Sequence, residues 1–252
     1  MSLHHVVDGP SGAPTIVLST SLGTTLEMWE PQVSALAEQF KVVRFDRRGH
    51  GRSPVVEGAT TIDDLGNDIV QLLDTLSLER VSFCGISLGG LEGIWLGINA
   101  PGRIERLVLS CTAAAYLPQQ NWIDRGALVR AEGTGSIADA TLGRWFRPSF
   151  GESHPDLVVR YRAMLTSTPA DGYAACCDVL AAADLSGRRG EIVAPTLVVS
   201  GAEDPVCPPA DGAALAAAIP GAVHTVIADA AHIANVEQPE AFTAALLKHL
   251  EA

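Results

Sequence analysis

Ser87 sits in the stretch GISLGG, residues 85–90, one hydroxyl among three glycines directly after the apolar run Val81–Cys84. A serine held out on a sharp strand-to-helix turn can act as a nucleophile, and that turn closes so tightly that its flanking residues must be small. Gly85 and Gly89 occupy the places two before and two after the serine, and Gly90 lets a following helix pack close. An ordinary glycine-rich turn would use the same residue types in a chain with 24 glycines. The β run before the motif and the helix-like Leu88–Asn99 after it favour the nucleophile.

A serine hydroxyl is a weak nucleophile until a base takes its proton, and the base needs an acid to orient it. In sheets built around such a turn the three follow in the chain order Ser, Asp, His, at the ends of successive strands. Asp204 lies in GAEDPVCPP, after the run Thr196–Ser200, and His232 lies in ADAAHIANVEQP, after Val223–Ile227. The order Ser87, Asp204, His232 is therefore the candidate triad. Glu203 adjoins Asp204, but only one of two neighbours can point into a site. Asp229 is too close to His232 in sequence to reach its ring. His50, in DRRGHGRSP, reads as a structural brace, and His224 falls within a strand. Cys207 is a conceivable rival nucleophile without a base placed for it. The Leu88 N–H, at a helix N-terminus, is a candidate oxyanion donor. The second is the Leu22 N–H, in the loop STSLGTT after the first long strand.

These residues need a frame that gathers them. Short β-branched runs recur at Thr15–Ser19, Lys41–Phe45, Val81–Cys84, Arg106–Ser110, Thr196–Ser200 and Val223–Ile227. Unbroken apolar runs of this length suit parallel strands buried on both faces. Helix-length segments lie between most of them: Pro31–Phe40, Ile62–Leu76 with Thr61 at its start, Leu88–Asn99 and Pro239–Leu250. The alternation predicts an α/β fold with a mostly parallel sheet covered by helices on both faces. The rhythm breaks over residues 117–189, which carry eight arginines and no strand signal, and which read as an inserted helical cap. The expected organisation is a core over 1–116 and 190–252 interrupted by that cap. An insertion there would lie over the carboxyl ends of the strands, where such sheets bind ligands.

The 252 residues are 47% hydrophobic and 18% charged, enough for a substantial core, and the net charge is −12. That charge argues against nucleic-acid or anionic-membrane partners. No apolar stretch reaches the roughly 20 residues of a membrane span, and no signal-peptide pattern opens the chain. Five cysteines, an odd number, show neither disulfide-like nor zinc-like spacing. A cytoplasmic protein is expected. The scattered histidines give no metal-ligand spacing, so no metal is expected.

Taken together, the oxyanion loop, FDRRGHGRS, GISLGG, GAEDPVCPP and AAHIANVEQPEAF resemble the α/β-hydrolase family over essentially the whole chain. Within it, VLSTSLGTTLEMWEPQVSALAEQFKVVRFDRRGHGRSP and TLGRWFRPSF are most similar to the 3-oxoadipate enol-lactonases of aromatic catabolism. Thr20–Ser21 replaces the His-Gly that opens this loop in many α/β-hydrolases, a variant the enol-lactonases share. The resemblance implies cofactor-free hydrolysis of an enol-lactone to 3-oxoadipate in the β-ketoadipate pathway. Related activities on the same triad are carboxylesterase, other lactonase and cofactor-free haloperoxidase, and a non-catalytic ligand-binding relative is the contrasting class. The implied substrate is a small anionic lactone, whose carboxylate needs a local cation in so acidic a chain. Arg144, in the RWF of the matching cap stretch, is the first candidate, with Trp145 packing on the ring. Trp122 and Trp29 are candidate pocket walls. Oligomeric state is not legible in these residues.

Overall fold

Every residue of Val81–Ile86 is buried, as a strand covered on both faces must be. In the computed structural model, which describes residues 2–252, this segment lies at the centre of a seven-stranded sheet. The strands are β1 (His5–Asp8), β2 (Thr15–Ser19), β3 (Lys41–Phe45), β4 (Val81–Ile86), β5 (Ile104–Ser110), β6 (Thr196–Gly201) and β7 (Val223–Ile227). Their order is β1-β3-β2-β4-β5-β6-β7, and every pairing is parallel except β1 with β3. Parallel pairing demands crossovers, and the helix-length segments supply them.

The covering helices are α1 (Glu30–Leu36), α2 (Ile62–Thr75), α3 (Leu88–Asn99), α9 (Pro209–Ala218) and α11 (Pro239–Leu250), with a single turn, α10 (Ala234–Glu237), before the last. α2 packs on α3, which lies against β4 and β5, while α9 lies against β6 and β7 and α11 packs on α1. α2 starts where its sequence predicts. The Thr61 hydroxyl accepts from the Asp64 N–H at 3.1 Å, and the Asp64 carboxylate accepts from the Thr61 N–H at 2.9 Å. This reciprocal cap satisfies two N–H groups that the first turn leaves without partners. Leu65, Ile69, Leu72 and Leu73 then form its buried stripe.

Three differences from the sequence reading have simple causes. β1 carries no unbroken apolar run because it is an edge strand, half-buried along its length. β7 is the opposite edge, so Val223 and Val226 are exposed rather than buried on both faces. α1 stops at Leu36, short of Phe40, because the chain must turn to bring Lys41 into β3, its N–H donating to the Pro14 carbonyl at 2.9 Å.

Five helices intervene between β5 and β6: α4 (Gln119–Glu132), α5 (Ala138–Trp145), α6 (Pro148–Ser153), α7 (Pro155–Thr166) and α8 (Ala170–Ala182). α4 packs along α8, and α5 along α7. Trp145, Phe146, Phe150 and Tyr161 form an aromatic cluster that joins α5, α6 and α7. This layer is tied to the core at identifiable points. The Ile233 N–H donates to the Trp145 carbonyl at 3.2 Å, and the Arg147 N–H donates to the buried Glu237 carboxylate at 2.9 Å. The Arg147 side chain also reaches Glu203 and Asp229, each at 3.1 Å.

Candidate active site

Ser87 has φ 58° and ψ −119° between the last residue of β4 and the first of α3. A non-glycine residue rarely holds a positive φ unless its surroundings enforce it. Here they do. The Ser87 N–H donates to the Ser110 carbonyl at 2.9 Å, and its carbonyl accepts from the Thr112 hydroxyl at 2.7 Å and the Leu91 N–H at 3.0 Å. A Cβ on Gly85 would sit 2.0 Å from the Gly89 carbonyl oxygen, and one on Gly89 would sit 2.7 Å from the Ser19 carbonyl oxygen. The glycines are thus required by contact, which is the role their spacing predicts.

Asp204 and His232 stand in the loops after β6 and β7, and His232 Nδ1 lies 2.9 Å from Asp204 Oδ2. Both side chains are buried. The other carboxylate oxygen, Asp204 Oδ1, accepts from the N–H groups of Val206 at 2.7 Å and Cys207 at 3.1 Å. Three donors therefore hold one carboxylate, so its oxygens cannot rotate away from the ring. His232 and Ser87 line the same cavity, of about 550 Å³, together with Leu22, Trp122, Arg144 and Trp145.

Among the described residues, neither the Leu22 nor the Leu88 N–H has an acceptor, although both residues are buried. The motif DRRGHGRS keeps the first loop in place. Arg47 is wholly buried, pairs with the Glu92 carboxylate of α3 and donates to the Thr20 carbonyl at 2.9 Å. His50 Nε2 accepts from the Gly23 N–H at 3.1 Å and the Thr24 N–H donates to the Ser21 carbonyl at 3.3 Å, so the N–H groups that follow Leu22 in the loop are engaged while its own has no acceptor among the described residues. Burial, reinforced by the Arg47 charge, pushes the His50 pKa down to about 3, which keeps the ring neutral and Nε2 free to accept. His50 is the brace that its loop implied.

Two expectations need correction. Trp29 is not a cavity wall: it is fully buried and packs against Phe242 of α11, ring centroids 6.0 Å apart. Burial among core residues is the commoner fate of a tryptophan. Cys207 was expected to have no base near it, yet ligand-type atoms of Asp204, Cys207 and His232 lie within 4.8 Å of one another. Burial first, and then the Asp204 charge, push the Cys207 thiol well above its ordinary value, so it stays protonated. Both Asp204 oxygens are already engaged, and the thiol does not line the cavity.

The six arginines within residues 119–182, the span of the five inserted helices, divide sharply. Arg130, Arg147, Arg160 and Arg162 each pair with acids, respectively Asp178, the group Glu203–Asp229–Glu237, Glu30 and Asp139. Arg125 and Arg144, the two that line the cavity, have no carboxylate within 4.0 Å among the described residues. Burial, and then the charge of Arg125, lower the pKa of Arg144. Sequence reading did not single out Arg125 or Tyr116, which also line the cavity. Arg125 was visible only as one of several arginines, and Tyr116 lies just outside β5 with no motif around it.

A strand, a positive-φ serine and a helix, with a histidine–aspartate pair at the ends of two later strands, form the arrangement around which one large family is built. Residues 14–239 match the model of the alpha/beta hydrolase fold. The chain belongs to the alpha/beta hydrolase family. Among the relatives of this hydrolase is 3-oxoadipate enol-lactonase 2 of Acinetobacter baylyi, 41% identical over 98% of this chain and 92% of that protein. The crystal structure of the enol-lactonase from Burkholderia xenovorans LB400 superimposes with a TM-score of 0.97 at 43% identity, covering 99% of this chain and 96% of that one. A thermophilic esterase from Thermogutta terrifontis, solved with malate bound, is 31% identical with a TM-score of 0.93, over 99% of this hydrolase and 93% of the esterase. No helix among the described residues is long and apolar enough to cross a membrane.

Proposed function

We propose that this chain is a serine hydrolase that opens 3-oxoadipate enol-lactone to 3-oxoadipate, a step of aromatic-compound catabolism in the β-ketoadipate pathway. The observation that carries the reading is that Ser87 and His232 face one cavity while Asp204 holds the far side of the imidazole. Ser87 Oγ attacks the lactone carbonyl carbon as His232 Nε2 takes the hydroxyl proton. Asp204 keeps the other ring nitrogen protonated and stabilises the imidazolium that forms. The N–H groups of Leu22 and Leu88, which lack acceptors among the described residues, receive the oxyanion.

Collapse of the tetrahedral intermediate breaks the ring C–O bond and releases an enolate, which His232 protonates. The enol then becomes the ketone. Because the leaving oxygen belongs to the same molecule, it stays tethered to the acyl-enzyme. Water, deprotonated by His232, attacks the acyl carbon and frees Ser87 and a second carboxylate. Trp122 and Trp145 wall the ring, and Arg144 receives the carboxylate the substrate already carries. A general carboxylesterase would use the same nucleophile and base, but it has no use for an arginine that lines the cavity without an acid partner.

Two measurements test this. Purified protein should turn over the enol-lactone, followed by loss of its enol ultraviolet absorbance, and a fluorophosphonate probe should label Ser87. Labelling without enol-lactone turnover would leave a serine hydrolase of another substrate. No labelling would remove the nucleophile.

A further inference from the structure

Arg125 stands on α4 and Arg144 on α5, and both face the cavity that Ser87 and His232 line. Two guanidinium groups sharing one cavity repel each other and give up hydration, a cost that nearby acids normally offset. Acids are plentiful in this chain, 29 in all, and the four other arginines of the layer have them. These two do not.

Arg125 is also held in place. Its Nη2 donates to the Thr141 hydroxyl, whose own proton goes to the Ile137 carbonyl at 2.7 Å, so a lone pair on that oxygen is turned toward the guanidinium. The guanidinium carbon lies 5.7 Å from the ring centroids of both Trp122 and Tyr173, within range of attraction to either π face. One acceptor and two rings therefore fix a cation that has no carboxylate partner among the described residues. Arg144 makes no hydrogen bond to the protein among the described residues, and it is free to close on a ligand.

We infer that Arg125 and Arg144 together form a carboxylate cradle, Arg125 the fixed half and Arg144 the adjustable half, which selects acyl compounds carrying a carboxylate remote from the bond that breaks. The inference rests on the reading of this cavity as the substrate site, and it adds a specificity residue and a ligand class. Straight-chain dicarboxylates are predicted ligands, one end on the two arginines and the other at the free N–H groups of Leu22 and Leu88. The ring-opened product is such a compound, so it should compete with substrate.

The test is isothermal calorimetry on the full chain with adipate and with adipamide, its neutral counterpart of the same length, which needs no turnover. The wild type should bind adipate at least about tenfold more tightly than adipamide, the scale of a charge-assisted hydrogen bond. Arg125→Gln should weaken adipate by about tenfold or more and leave adipamide within about twofold, and Arg125→Lys should fall between. Combining Arg125→Gln with Arg144→Gln should cost less than the product of the single losses, because both groups share one carboxylate. Equal affinity of the wild type for adipate and adipamide would overturn the cradle, whether or not the variants fold. So would parallel loss of both ligands in Arg125→Gln, which would mark a packing role. Enol-lactone turnover is scored separately: tight adipate binding without turnover keeps the cradle and removes the proposed substrate, while turnover without adipate preference does the reverse.

Discussion

Replacing Asp204 by asparagine should inactivate the enzyme through the wrong tautomer of a correctly placed histidine. Asp204 Oδ1 accepts from two backbone N–H groups, those of Val206 at 2.7 Å and Cys207 at 3.1 Å. An asparagine there must present its carbonyl oxygen to those donors, because its NH₂ would face two N–H groups. The NH₂ is then turned toward His232 Nδ1, 2.9 Å from the present Oδ2. A donor at that place makes Nδ1 the acceptor and puts the ring proton on Nε2, where it can no longer take one from Ser87. In a serine protease the equivalent substitution costs about ten-thousandfold in kcat, or about 5 kcal/mol at the transition state. The same loss is expected here, read as the initial rate on a chromogenic ester and as the rate of fluorophosphonate labelling. Because Asn keeps both backbone hydrogen bonds, the melting temperature should move by no more than about 3 °C. An Asp204→Asn variant with more than about a tenth of wild-type kcat would refute the reasoning. So would an inactive variant whose melting transition is lost, since the defect would then be folding.

Three further outcomes follow from the geometry around that site. Gly85→Ala would drive a methyl to 2.0 Å from the Gly89 carbonyl oxygen, so it should yield little folded protein, seen by circular dichroism and size exclusion. Glu92→Leu strands the wholly buried Arg47 without its carboxylate and should destabilise the fold by about 3–5 kcal/mol in urea denaturation, whereas changing both residues to apolar ones should cost less. His50, neutral in the fold with a pKa of about 3, protonates near 6.5 once unfolded, so its contribution is complete above pH 6.5 and is lost as pH falls toward 3. Stability should therefore drop on acidification through that window, by on the order of 5 kcal/mol from this group alone, and His50→Gln should have a visibly flatter acid limb.

The frame and the serine turn were legible because each rests on local rules. A tight turn demands glycine whatever surrounds it, and a strand buried on two faces must be apolar throughout, so β4, GISLGG and α3 can be read directly. Edge strands obey neither rule, which is why β1 left no mark and β7 looked more buried than it is. Trp29 shows the other limit: its type is equally suited to a core or a pocket wall, and only the position of Phe242, far along the chain, decides between them. The same holds for the arginines. Which of them lack acids depends on partners as distant as Arg147 and Glu237, or Arg160 and Glu30, and no spacing rule reports that.

The bond from Ile233 to Trp145 links the residue beside His232 to the layer that roofs the cavity. A roof hinged away from the sheet would have to break this bond and those from Arg147 to Glu237. Leu117, Asn121 and Leu128, exposed residues of the same cavity's lining, stand where solvent reaches it with the roof in place. Altering what the enzyme accepts is accordingly first a matter of recarving that edge, since loosening the roof would also cost those tethers.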